Sequence, residues 1–193
     1  MNFYSFAKVI VKSVFKILYP FESRGSENIP ETGPVILCAN HLSNLDPIML
    51  GLTCDREIHF MAKEELFHVP VLNRVVRKLH AFPVRRGMAD REALRTGLKV
   101  LQDGCVLGIF PEGTRSKSGE LLKGLSGVGF FALRTDARVI PCAIIGPYRL
   151  FRKIRVVYGK PIDMESLKER RAKAEEATEV IMSAIKEILL QYQ

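Results

Sequence analysis

The chain has no tryptophan, no C-x-x-C pair and no complete nucleophile elbow. Its four cysteines, Cys38, Cys54, Cys105 and Cys142, are widely spaced and mostly set in apolar runs. That argues against a zinc ribbon or a disulfide framework and fits buried thiols in a reducing compartment. Gly124-Leu125-Ser126-Gly127 misses the G-x-S-x-G pattern because position 128 is Val, so no serine nucleophile elbow is present. Gly127-Val128-Gly129-Phe130-Phe131-Ala132 fits G-x-G-x-x-A, but no strand precedes it and the glycines lie in a helix-like stretch, so the dinucleotide reading is rejected. His59, His68 and His80 have no partner at metal-ligand spacing, and no metal is expected. No helix-turn-helix, RNP-like aromatic block or zinc pattern appears, which leaves nucleic acid without a reader. Acidic residues are also short: 21 Asp and Glu face 29 Lys and Arg, a net charge of +8. The expected partners are therefore anionic, whether phosphate-bearing small molecules or an acidic membrane face. With 193 residues, 47% hydrophobic and 26% charged, the composition suits one ordinary globular domain.

What is present centres on Asn40-His41-Leu42-Ser43-Asn44-Leu45-Asp46-Pro47, directly after the apolar run 34–39. That run suits one buried strand, which puts His41 at a strand end, where open α/β sheets handle ligands. Pro47 predicts a helix start, with Asn44 or Asp46 as N-cap. Five residues from His41, Asp46 can fold back to one imidazole nitrogen, fix the tautomer and leave the other nitrogen to take a proton. Read alone, the same stretch also suits a loop histidine satisfied by a helix-capping aspartate.

At the N-terminus, Lys8, Lys12 and Lys16 share one arc of a helix over residues 3–19 with Asn2, Ser5 and Ser13, opposite an apolar arc that includes Phe6, Ile10, Val14 and Phe15. Val9 and Tyr19 fall outside this division. Such a helix is about 26 Å long, short of the roughly 30 Å hydrocarbon core. It is expected to lie on an anionic surface without crossing it, the alternatives being a core-packing helix or a signal peptide. Residues 20–33 read as a connector. Strands follow at 58–62, 81–87, 105–110, 138–145 and 152–158, and helices at 47–53, 63–67, 71–79, 90–102 and 163–193. Pro141 places its strand at an edge or a bulge, and the strand with Arg152, Lys153 and Arg155 reads as exposed.

Two strands end in arginine. One runs Phe82-Pro83-Val84-Arg85-Arg86-Gly87, the other Phe110-Pro111-Glu112-Gly113-Thr114-Arg115-Ser116. A guanidinium presents a planar fork that matches phosphate or carboxylate, and Gly113 permits close backbone approach.

Taken together these blocks resemble the PlsC-like 1-acylglycerol-3-phosphate acyltransferases. Asn40-His41 through Asp46 is similar to the family's N-H-x4-D block, Phe82 to Arg85 to its second block and Phe110 to Ser116 to its third. Val139-Ile140-Pro141 is similar to the fourth, with Met61-Ala62-Lys63 and Leu122-Lys123-Gly124 between them. The second block departs in having Val84 where an acidic residue is usual. The resemblance implies an α/β fold with a mixed sheet flanked by helices, one domain over 21–193 preceded by a membrane-associating helix over 1–20. It also implies acyl transfer from acyl-CoA or acyl carrier protein to lysophosphatidic acid, at the cytoplasmic face of the membrane and without a cofactor. His41 would be the general base and Asp46 its orienting carboxylate. Arg85, Glu112, Gly113, Thr114, Arg115 and Lys123 would bind the substrate, and amides near Gly113 would stabilise the oxyanion. Another lyso-lipid acceptor, or a non-catalytic anionic-lipid-binding protein, is the alternative.

Overall fold

A computed structural model describes residues 3–85 and 90–192, so the Arg86–Gly87 end of the predicted strand lies outside the described residues. In chain order the elements are α1 (Phe3–Leu18), β1 (Phe21–Arg24), β2 (Val35–Ala39), α2 (Asp46–Thr53), β3 (Ile58–Lys63), α3 (Pro70–Lys78) and β4 (Ala81–Val84). They continue with α4 (Arg91–Gln102), β5 (Val106–Ile109), α5 (Gly127–Arg134), β6 (Arg138–Ile145), β7 (Ile154–Tyr158), α6 (Glu165–Glu169) and α7 (Ala174–Tyr192).

The strands form one sheet in the order β1-β7-β6-β2-β5-β3-β4. Neighbours run parallel except β6 and β7, so the sheet is mixed, as expected. Along β2 the pleat sends alternate side chains to opposite faces. Val35, Leu37 and Ala39 join Met49 and Leu50 of α2 on one side, with Phe15 and Tyr19 of the N-terminal segment packed against them. Ile36 and Cys38 join α4, α5 and α7 on the other side. Because both faces are covered, β2 reads as a continuous apolar run with every residue buried.

Several sequence expectations change. The connector 20–33 contains β1, a four-residue edge strand without an apolar run. Its pairing with β7 is reinforced by Glu22, which accepts from Arg155 at 2.5 Å and from Lys153 at 3.2 Å. Pro141 is not at an edge, because β6 lies between β7 and β2. Its carbonyl accepts from Gly159 at 2.8 Å, so its missing N–H faces the same side, beyond the last β7 pair, Cys142–Tyr158. The proline therefore costs β6 no bond to β2 and sits where the pairing with β7 runs out. The β7 strand is buried at Ile154, Val156, Val157 and Tyr158, which corrects its exposed reading. The 63–67 helix is a single 3-10 turn, Glu64–Phe67. The C-terminal helix is interrupted between α6 and α7, where Arg171 takes a left-handed φ of 53°.

Helix α1 also departs from its helical wheel. Lys8 turns inward and donates to the Cys54 carbonyl at 2.5 Å, while Tyr4 is buried. Phe6, Val9, Ile10, Val14 and Ile17 are exposed. The helix therefore carries two apolar stripes, and only one is used by the core. No helix among the described residues is long and apolar enough to cross a membrane.

Candidate active site

Five parallel strands, β6, β2, β5, β3 and β4, deliver their carboxyl ends to one edge of the sheet. His41 leaves β2 there, and Phe110 to Arg115 leave the adjacent β5. Arg85 leaves β4, further along. Sequence neighbours and strand neighbours thus converge where such sheets place their ligands.

His41 Nδ1 is 2.7 Å from Asp46 Oδ2. The same oxygen accepts the amides of Leu42 at 2.6 Å and Ser43 at 2.7 Å, so the carboxylate closes the loop on itself. A carboxylate has no proton to give, so Nδ1 carries the hydrogen and Nε2 presents its lone pair. Among the described residues Nε2 has no hydrogen-bond partner. Asp46 is fully buried and His41 is 6% exposed. Neither Asn44 nor Asp46 caps α2 as predicted. The cap position is Leu45, and Asp46 is the first helical residue, where the helix dipole favours its charge. The imidazole stacks on the Phe110 ring with centroids 4.2 Å apart, which fixes its plane.

Two buried polar groups hold this loop to the sheet. Asn40 donates to the Ile144 carbonyl at 3.0 Å and accepts its amide at 2.7 Å, joining β2 to β6. Glu112 accepts the His41 amide at 2.7 Å and the Leu122 amide at 2.8 Å. Ser116 then donates to the His41 carbonyl at 2.8 Å. The loops after β2 and β5 are consequently one hydrogen-bonded unit. Burial pushes the Glu112 carboxyl up, the two amides opposing it.

Gly113 takes a φ of 65°, and a Cβ there would meet Leu125 Cδ1 at 2.5 Å. The positive φ calls for glycine, while the exposed Leu125 side chain could move aside. Its amide donates to the Phe110 carbonyl at 3.0 Å, so it is committed to the turn and not free for an oxyanion. Thr114 and Arg115 follow, exposed. Arg85 is exposed and its Nε lies 3.4 Å from Glu64 Oε2, beyond β3. Lys123 lines a groove of about 650 Å³ between residues 121–126 and α7, with Thr178, Glu179 and Met182. The structure thus bonds His41, Asp46 and Glu112 together. Arg85 and Lys123 make no contact with that group among the described residues.

One residue was not foreseen. Tyr148, after β6, donates its hydroxyl to Asp46 Oδ1 at 2.5 Å. It lies 102 positions from its partner, and only the strand order that puts β6 beside β2 brings it there. The rejected glycine motif is indeed helical: Gly129 sits in α5, where a Cβ would fall 1.9 Å from the Ala174 carbonyl of α7.

Comparison with known proteins identifies the family and the fold. The profile of the family described as Acyltransferase matches residues 20–145. A 1-acyl-sn-glycerol-3-phosphate acyltransferase of Bacillus subtilis is 30% identical over 193 residues, covering 96% of each chain. One from Borreliella burgdorferi is 32% identical over 131 residues, covering 67% of this chain and 52% of its own. The crystal structure of the lysophosphatidic acid acyltransferase PlsC from Thermotoga maritima superposes with a TM-score of 0.75 at 28% identity, covering 98% of this chain and 82% of that one. The chain belongs to the acyltransferase family.

Proposed function

We propose that the protein transfers a fatty acyl group from a thioester of coenzyme A or acyl carrier protein to the sn-2 hydroxyl of 1-acylglycerol-3-phosphate, forming phosphatidic acid. The observation that carries this reading is the buried His41–Asp46 pair, which leaves Nε2 without a partner among the described residues and is hydrogen-bonded through the His41 backbone to the arginine-bearing loop of the adjacent strand. The names of the similar bacterial proteins support the acceptor.

His41 Nε2 takes the hydroxyl proton as the oxygen attacks the thioester carbonyl carbon. The C–S bond then breaks, and the departing thiolate takes the proton back from the imidazolium. Asp46 stabilises that imidazolium through Nδ1, and general-base help of this kind is worth typically 10² to 10⁴ in rate. Direct transfer suits the protein's own nucleophiles. Cys38 and Cys142 are fully buried, and burial pushes both thiols far above their ordinary value. The Thr114 and Arg115 amides have no internal partner among the described residues, which suits them to the oxyanion. The guanidinium groups of Arg115 and Arg85, with Thr114 and Lys123, bind the anionic head group. Glu112 acts on the substrate by fixing the His41 backbone.

The lyso-lipid reaches the site from an anionic membrane surface. The exposed stripe Phe6, Ile10, Val14 and Ile17 of α1 supports this, flanked by the exposed Lys12 and Lys16. Helix α3 adds the exposed Val71, Leu72 and Val75 beside Arg74 and Arg77.

The test is incubation with a panel of lyso-lipids and a long-chain acyl thioester, with products read by mass. Phosphatidic acid as the preferred product is expected. Preferred acylation of an uncharged or zwitterionic lyso-lipid contradicts the proposed acceptor.

A further inference from the structure

Asp46 is fully buried, yet its two oxygens are served unequally. Oδ2 takes three donors: His41 Nδ1 and the amides of Leu42 and Ser43. Oδ1 takes one among the described residues, the Tyr148 hydroxyl at 2.5 Å. A buried acceptor left empty is costly, and a carboxylate held at one oxygen can still turn about its Cβ–Cγ bond. The phenol is thus the group that fixes the plane of the carboxylate to which the imidazole is bonded. Tyr148 is in turn braced by Tyr19, whose ring meets it edge-on at 6.5 Å, and Tyr19 packs on Phe15 at 5.5 Å. Tyr19 immediately follows α1.

We propose that Tyr148 is a positioning residue for the His41–Asp46 pair, and that Tyr19, at the foot of α1, props it in place. The chain of contacts runs from the N-terminal helix through two tyrosine rings to the carboxylate and so to the base. The proposal rests on His41 serving as that base. Burial, with the Asp46 carboxylate beside it, pushes the Tyr148 hydroxyl far above its ordinary value, so it remains a donor wherever the enzyme works. Among the described residues, the titratable groups hydrogen-bonded to the pair besides Tyr148 are its own two members and Glu112, which reaches the His41 amide.

The hydroxyl shares the negative charge of Asp46, so its removal leaves more of that charge to the imidazolium. The base then holds its proton to higher pH. Tyr148→Phe is expected to lower kcat roughly 10- to 100-fold, as for loss of a hydrogen bond to a charged group, with KM for both substrates little changed. The acid limb of its kcat/KM profile moves to higher pH. In an Asp46→Asn background the same change costs no further rate, because the two residues act as one unit. Tyr19→Ala moves the limb in the same direction by less.

A folded Tyr148→Phe protein with wild-type kcat and an unmoved limb overturns the proposal, as does a full additional loss in the Asp46→Asn background. An unmoved limb in Tyr19→Ala removes the prop. Folding is read by circular dichroism. If Tyr148→Phe does not fold, replacement of tyrosine by 3-fluorotyrosine keeps the shape and strengthens the donor, and the limb must then move to lower pH. No movement in that protein overturns the proposal too. Failure of the base assignment is distinct, since there His41→Ala retains turnover whatever Tyr148 does.

Discussion

Glu112, 4% exposed and facing two amide donors, ties the backbone of His41 to that of Leu122. Its carboxyl is pushed above its ordinary 4.5 by burial. The folded state therefore binds its proton more readily than the unfolded chain. Its contribution to stability is full below that ordinary value and declines as pH rises through the raised one. Glu112→Gln removes this decline but turns an NH₂ toward one of the amides, at a cost of about 1–3 kcal/mol at neutral pH. Thermal unfolding of both proteins between about pH 4 and 7 checks the sign and the size. A wild-type slope that persists in the variant contradicts the assignment. The residue scale also marks what could be read early. His41 and Asp46 are five apart, and a local turn closes that spacing, so their bond was legible in the sequence. Tyr148 was not, because its contact depends on which strands become neighbours.

Elements follow the same division. The buried strands β2, β5 and β6 announce themselves as apolar runs, since the sheet is covered on both faces. The edge strand β1 does not, because backbone pairing and the Glu22 ion pairs hold it and Phe21 alone of its four residues packs on the core. In α1 the apolar period was legible, but its division into two stripes was not, because Lys8 finds a carbonyl and not solvent. The exposed stripe makes a prediction at this scale. Phe6, Ile10, Val14 and Ile17 together replaced by serine leave the fold intact, since none of the four is buried. Association with anionic vesicles is expected to fall by at least tenfold, as expected from losing four apolar side chains worth more than 1 kcal/mol each on burial. Sedimentation with vesicles measures it, and undiminished pelleting assigns membrane contact to another surface.

At the scale of the whole molecule, one edge of the sheet gathers loops from residues 40–46, 85, 110–116 and 148. Periodicity predicts the strands one at a time but says nothing of their order, and the order makes the site. Motif blocks stood in for it, since blocks one and three lie on adjacent strands. The central claim is that the molecule uses this edge to activate a hydroxyl belonging to the lipid, with no acyl group held on the protein. The most direct measurement is steady-state acyl transfer to lysophosphatidate by His41→Ala, with folding verified by circular dichroism. A fall in kcat of about 10² to 10⁴ in a folded protein is predicted, and turnover close to the wild-type rate would contradict it.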